Sequence, residues 1–273
     1  MIKKSKNSEL KAEHKNISIQ FSLDGFSFCI TEATSNKPIN VTQYQFKNKV
    51  ETPELLLEKI EHIFTSDSTL QQDFKNVVVI HQNNLATLVP SKYFDENNLK
   101  TYLNYTIKTL ANDFIAFDDC TKISAKNVYI PYVNINNYLF QNFGEFEYKH
   151  HATVLIDKLI NLAATKDQQH FFVYVSASQL DIVVTQGSDL VFYNSFLFNT
   201  KEDFIYYILF TAEQLALDPN KFNLTFLGDI SENSAIYKIT HTYIRNIDFI
   251  KINTDFFKSD TELSPYSNYL LLS

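Results

Sequence analysis

The sequence predicts an α/β protein of two lobes built on one plan, each a mixed sheet flanked by helices, and three observations predict it. First, residues 17–31 read ISIQFSLDGFSFCIT, and residues 171–185, displaced by 154 positions (171 minus 17), read FFVYVSASQLDIVVT. Both alternate as strand, short polar turn and strand. Ser22 falls on Ser176 and Thr31 on Thr185, while Ile19/Val173, Phe21/Val175, Phe26/Leu180, Phe28/Ile182 and Ile30/Val184 keep apolar character in register. Second, each hairpin is followed by the same succession: an apolar stretch (39–46 and 190–198), a helix-like segment (52–64 and 200–217) and an asparagine-led buried strand (76–80 and 223–227). Third, 273 residues suffice for two compact lobes. Together these read as an internal duplication.

The elements can be justified in chain order. Residues 1–15, MIKKSKNSELKAEHK, are charged, lack the apolar core of a signal peptide, and are expected to form a disordered tail. The first lobe is expected over 16–115, with strands at 17–22, 26–31, 39–46 and 76–80. Its helix at 52–64 opens on Thr52 before Pro53, a hydroxyl cap followed by a residue suited to the first helical turn. A further element follows at 85–89. Residues 97–110 read as a helix because Leu99, Leu103, Ile107 and Leu110 share a face. The second lobe is expected over 116–273. It is introduced by strand-like stretches at 113–117 and 127–133. Next comes a segment without a clear counterpart in the first lobe: residues 135–143, a strand at 145–149 and a helix at 151–164 with a Val154, Leu155, Leu159, Ile160 and Leu162 stripe. Thr200 with Asp203 three residues on is a capping pattern for the helix after the second hairpin. From 233 the chain reads as helix then strand, the strand at 246–251. The last residues, SNYLLLS, form an apolar end suited to packing on the body or on a second copy. No Pro, Gly or Ser-rich linker interrupts the chain, so the lobes are expected to share an extended interface.

Composition narrows the function. Hydrophobic residues make up 45% and charged residues 20%, the balance of an ordinary folded protein, and no apolar run reaches the length of a membrane span. The reading is a cytoplasmic protein: Cys29 and Cys120 are its two cysteines, expected as free thiols. A net charge of −7 argues against a general nucleic-acid binder, which needs a concentrated cationic face. The 24 Phe and 16 Tyr lie mostly at alternating or helical apolar positions and read as core. Only Gly25, Gly144, Gly187 and Gly228 are available where a backbone must approach a phosphate closely.

A hairpin, third strand, helix and fourth strand occurring twice resembles the actin, sugar kinase and Hsp70 superfamily, whose halves are each RNase H-like. More narrowly, ISIQFSLDGFSFCI, HHATVLIDKL, FVYVSASQLDIVV and NLTFLGDI are similar to a Bacteroidetes family catalogued as a domain of unknown function, DUF3822. The resemblance covers nearly the whole chain from Ile17 and implies an actin-like ATPase fold without an established activity. In the superfamily, each hairpin turn carries Asp and Gly around the terminal phosphate, and paired glycines after an apolar strand admit the adenosine. Here Asp24 and Gly25 are adjacent; Ser176, Ala177, Ser178 and Gln179 form a second turn without glycine; Asp181 lies inside the next strand; and Gly228 with Asp229 leaves one glycine of the pair.

Two readings of the cleft follow. In the first, the chain is a non-catalytic binding or assembly module that works with a protein partner or by self-association, and Asp24–Gly25 and Gly228–Asp229 are ordinary turns. In the second, it binds or hydrolyses ATP with magnesium through atypical loops. Its cleft candidates are then Ser22, Asp24, Gly25, Ser176, Ser178, Asp181, Gly228 and Asp229, with Asp24, Asp181 and Asp229 as metal or water-orienting carboxylates. A nucleic-acid factor using aromatic residues and a local basic patch is a third reading, disfavoured by charge. His150 and His151 lack metal partners at defined spacing, and Asp118, Asp119 and Cys120 read as a solvated turn after a strand. No Walker A loop, GxSxG elbow, HExxH helix or CxxC pair occurs.

Overall fold

The structure, a computed structural model, describes residues 1–7, 14–164, 169–252, 255–257, 263 and 266–272. The first lobe is built on a mixed sheet of β1 (Ile2–Asn7), β2 (Lys15–Ser22), β3 (Gly25–Glu32), β4 (Pro38–Gln45), β5 (Asn76–His81) and β9 (Glu147–His150), in the order β1-β4-β3-β2-β5-β9. The second uses β10 (Gln169–Ser176), β11 (Gln179–Gln186), β12 (Asp189–Leu197), β13 (Asn223–Gly228) and β14 (Asn246–Phe249), in the order β12-β11-β10-β13-β14. Apart from β1, the two sheets have one connectivity: an antiparallel meander whose first strand pairs in parallel with the fourth, and the fourth in parallel with the fifth. This is the order of an RNase H-like lobe. Between β5 and β9 stands a small sheet of β6 (Ala86–Pro90), β7 (Ala116–Cys120) and β8 (Ala125–Tyr129), in the order β6-β8-β7.

Alternation in the central strands divides their side chains between two layers. Ile17, Ile19 and Phe21 of β2 face a core with α1 (Pro53–Ser66) and α3 (Val133–Phe143), whose Leu56, Ile60, Ile63, Ile135 and Leu139 are fully buried. Phe171, Val173 and Val175 of β10 face the equivalent core with Phe204, Ile208 and Ala212 of α5 (Lys201–Gln214). The inner faces of the two sheets meet in a third core, where Cys29, Val41 and Ile80 pack with Phe172, Tyr174, Val183 and Leu227 around α4 (His151–Ala163). Burial on both faces explains why FFVYV and IVV read as continuous apolar runs. Thr52 caps α1, and Thr200 with Asp203 forms the reciprocal capping box of α5. The last helix, α6 (Ala235–Tyr243), is capped by Ser234.

Several expectations need correction. Residues 2–7, expected in a disordered tail, form edge strand β1; residues 8–13 of that stretch lie outside the described residues. The lysines that made the segment look like a tail suit an exposed edge, and Lys3 Nζ reaches the buried carboxylate of Asp67 at 2.9 Å. The helix expected at 97–110 is only α2 (Leu99–Leu103). Leu103 O takes both the Thr106 and Ile107 amides, closing the turn, and Asn104, Thr106 and Ile107 are weak helix formers. Leu110 is exposed. Asp118, Asp119 and Cys120 lie in β7, not in a solvated turn: Asp118 is buried and accepts from Tyr129 Oη, the His150 amide and Thr153 Oγ1. These bonds oppose the burial that pushes its carboxyl up. The boundary expected at 115/116 does not coincide with the packing, because α3 and β9 complete the first lobe. The apolar C-terminal end packs on the body, with Leu270 and Leu271 buried between the lobes.

Candidate functional site

The first hairpin turns through Leu23 and Asp24, because Ser22 pairs with Gly25. Ser22 Oγ accepts the Asp24 amide at 3.1 Å, and the Leu23 and Asp24 carbonyls accept the amides of Val50 (2.8 Å) and Phe46 (3.0 Å). The turn is thereby tied to the chain that follows β4. A Cβ on Gly25 would stand 2.8 Å from Tyr44 O, so glycine here admits the neighbouring strand. The Asp24 carboxyl is half-buried and pushed up by the protein around it, with Lys49 pulling the other way.

The second hairpin turns through Ala177 and Ser178, with Ser176 paired to Gln179. Ala177 takes a left-handed φ of 42°, the conformation that glycine accommodates without steric cost. At the end of β13, Gly228 has a φ of 93°, and a Cβ there would lie 2.0 Å from Val175 O. Its amide donates to Tyr266 O at 2.9 Å, and the Asp229 amide donates to Val175 O at 2.7 Å. Both glycines of the candidate site therefore accommodate the chain's own backbone.

These turns meet at the lobe junction around two small spaces of about 40 Å³ each. Ser22, Asp24, Gly25, Ser176 and Asp229 line the first; Ser22, Asp24, Ser176 and Ser178 line the second together with Lys49. Six of the eight candidates are thus brought together. Gly228 lies beneath, against Val175, and Asp181 stands apart. The Asp181 carboxylate is fully buried, accepts from Tyr193 Oη at 2.9 Å and from Gln179 Nε2 at 3.2 Å, and lies 3.2 Å from His151 Nε2. It is walled off from the cleft. Asp229 is in contact with solvent yet surrounded by protein, and its carboxyl is pushed up to about 6 by that enclosure. Gln43 and Lys4 oppose the rise, and Asp24 adds to it.

Sequence reasoning missed the floor of the cleft. Gln20 and Gln82, both buried, bond to each other, and Gln20 Nε2 also donates to Tyr174 Oη at 3.1 Å. The available signal was Gln20 itself, a long polar side chain in a central strand whose alternation places it opposite Ile19 and Phe21. His150 and His151 are also buried, the first capping α4 through the Ala152 amide. Burial holds His150 well below its ordinary range, helped by the neighbouring His151 and His81. Among the described residues, no cluster of His, Cys, Asp or Glu is suited to a metal ion.

The two spaces between the turns are small for a nucleotide. Ligand pockets enclose roughly 300–1,000 Å³. Here the two spaces hold about 40 Å³ each, and the Gly228 and Asp229 amides already have partners within the chain.

Comparison with solved structures places the fold. A Bacteroides thetaiotaomicron protein of actin-like ATPase fold and unknown function matches with a TM-score of 0.77 and 19% identity, covering 88% of this chain and 91% of that one. The PilM–PilN type IV pilus biogenesis complex matches at a TM-score of 0.57 with 12% identity, over 86% of this chain and 88% of that one. The ethanolamine utilization protein EutJ from Carboxydothermus hydrogenoformans matches at 0.50 with 6% identity, over 89% and 86%. No curated protein matches the sequence. No helix among the described residues is long and apolar enough to cross a membrane. The family described as protein of unknown function (DUF3822) matches residues 4–247, and the chain belongs to that family.

Proposed function

We propose that this chain is a non-catalytic binding or assembly module of the cytoplasm, whose two lobes descend from one duplicated unit and whose cleft has become a seam between them. The observation that carries this reading is the pair of bonds from the Gly228 and Asp229 amides to Tyr266 O and Val175 O. The backbone that the superfamily turns toward a nucleotide is engaged by the chain itself. A protein partner fits the reading: one neighbour of the same fold, the PilM–PilN complex, is an assembly of two proteins.

The second reading, an ATP-binding or ATP-hydrolysing protein with atypical phosphate loops, is favoured by one observation: Asp24 and Asp229 line the same space. Thermal unfolding with and without Mg-ATP separates the two. Saturating ligand at a hundredfold its Kd would add about 2.7 kcal/mol to stability. The module reading predicts no saturable shift; a shift that saturates and disappears in Asp24→Ala would establish the second reading.

A further inference from the structure

A larger cavity lies away from the cleft. It encloses about 420 Å³ between the small sheet and the second lobe, within the range of ligand sites. Three consecutive residues of β6 (Ala86, Thr87, Leu88) and three of β12 (Tyr193, Asn194, Ser195) line it from opposite sides. Each of these strands is the edge of its sheet. The groove therefore runs between two strand edges, and no Asp, Glu, Lys or Arg lines it.

The hydrogen-bond ladders show which peptide groups face it. Leu85 O accepts from Ile130 N, and the antiparallel register pairs Ala86 with Tyr129. Alternation then points Thr87 and Val89 at β8 and turns the peptide groups of Ala86 and Leu88 to the open edge. On the other side, Phe198 N donates to Ser178 O, so in the same ladder Asn194 bonds inward and Tyr193 and Ser195 face outward. The Ser195 amide agrees: it donates to the side-chain Oδ1 of its neighbour Asn194 at 2.9 Å. Ser195 Oγ is buried and has no hydrogen-bond partner among the described residues.

We infer that this groove receives an extended, uncharged peptide segment of a partner protein, which adds as a strand to the β6 edge with β12 on its other side. An exposed strand edge is a template for main-chain pairing, and such pairing is a recurrent mode of peptide recognition. The uncharged lining selects against Asp, Glu, Lys and Arg in the inserted segment, since a buried charge would lack a partner. Asn194, exposed at the mouth, releases the Ser195 amide when it swings aside.

This inference names a surface for the proposed module without depending on the cleft, so it and the Mg-ATP result stand or fall separately. The test uses the full chain on an array of acetylated, amidated peptides of about eight residues, drawn from Thr, Val, Ile, Ser and Asn, a typical strand length. The expected result is a retained subset that binds at least about tenfold more weakly, or about 1.4 kcal/mol, once alternate peptide amides are N-methylated. The same loss is expected in Ala86→Pro, which removes an outward amide and leaves the β8 ladder whole. Retention of no peptide, or binding indifferent to N-methylation, overturns the inference. The N-methyl comparison decides on the wild-type chain alone if Ala86→Pro fails to fold.

Discussion

Gln20 donates to Tyr174 Oη across the lobe interface at 3.1 Å, and the two residues are separated by 154 positions, the displacement that relates the two hairpins. Residues at the same place in the two aligned hairpin sequences therefore touch. Their polar contact, joined by Gln82, sits at the floor of the cleft, with the apolar inner core behind it. The lobe interface is thus held by hydrogen bonds at the cleft floor and by packing behind them.

Removing the Tyr174 hydroxyl should weaken that seam without opening the core. Tyr174→Phe is expected to lower stability by about 1 kcal/mol, the net worth of a buried hydrogen bond. Urea unfolding checks it: the midpoint should fall with an unchanged slope. An unaltered midpoint would mean the bond contributes nothing.

The strained second turn gives a prediction of opposite sign. Ala177 holds a left-handed φ of 42° in a turn that has no glycine. Ala177→Gly should relieve roughly 1 kcal/mol of backbone strain, partly offset by the greater freedom of glycine in the unfolded chain. The melting temperature should rise. A fall would show that the alanine methyl contributes more by contact than it costs by conformation.

Asp229 makes the seam pH-dependent. Its carboxyl rises from the usual 3.8 to about 6 in the folded chain, so the folded state holds the proton more tightly than the unfolded state does. That contribution is fully present below pH 4 and is lost as pH rises through 6. Asp229→Asn should flatten this part of the stability profile and stabilise the chain at neutral pH, by no more than about 1 kcal/mol because solvent reaches the carboxylate. Equal pH profiles for the two proteins would refute the assignment.

Lys158 fastens the C-terminal segment. Its ammonium, on α4, donates to the carbonyls of Tyr269 (2.9 Å), Leu270 (3.2 Å) and Leu272, and burial pulls it down to about 8. Lys158→Met keeps the aliphatic length and deletes the donor, leaving buried carbonyls short of a partner at a cost of about 1–3 kcal/mol. Limited proteolysis should then cut within 266–272 faster than in the wild type. Equal cutting rates would show that Leu270 and Leu271 hold the segment unaided.

The strands were legible in the sequence wherever periodicity was set by a large core. Ile17, Ile19 and Phe21 against Phe171, Val173 and Val175 announced both central sheets, and Thr200 with Asp203 announced α5. Elsewhere the pattern failed: Leu99 and the buried Leu103 could not carry a helix past Asn104, and the lysines of β1 hid an edge strand. The candidate site was half legible. Sequence position brought Ser22, Asp24, Ser176 and Asp229 to one place, since turns at equivalent strand ends converge. It could not exclude Asp181, because burial behind Tyr193 and His151 is a tertiary fact, nor reveal that Tyr266, distant in sequence, takes the Gly228 amide.

Amide hydrogen exchange at Gly228 and Asp229, measured with and without millimolar Mg-ATP, tests most directly whether the cleft backbone serves the chain itself. With Tyr266 O and Val175 O as partners, both amides should exchange slowly and at rates that Mg-ATP leaves unchanged. Rapid exchange in the free protein, with strong protection on adding Mg-ATP, would contradict the account and return the cleft to nucleotide binding.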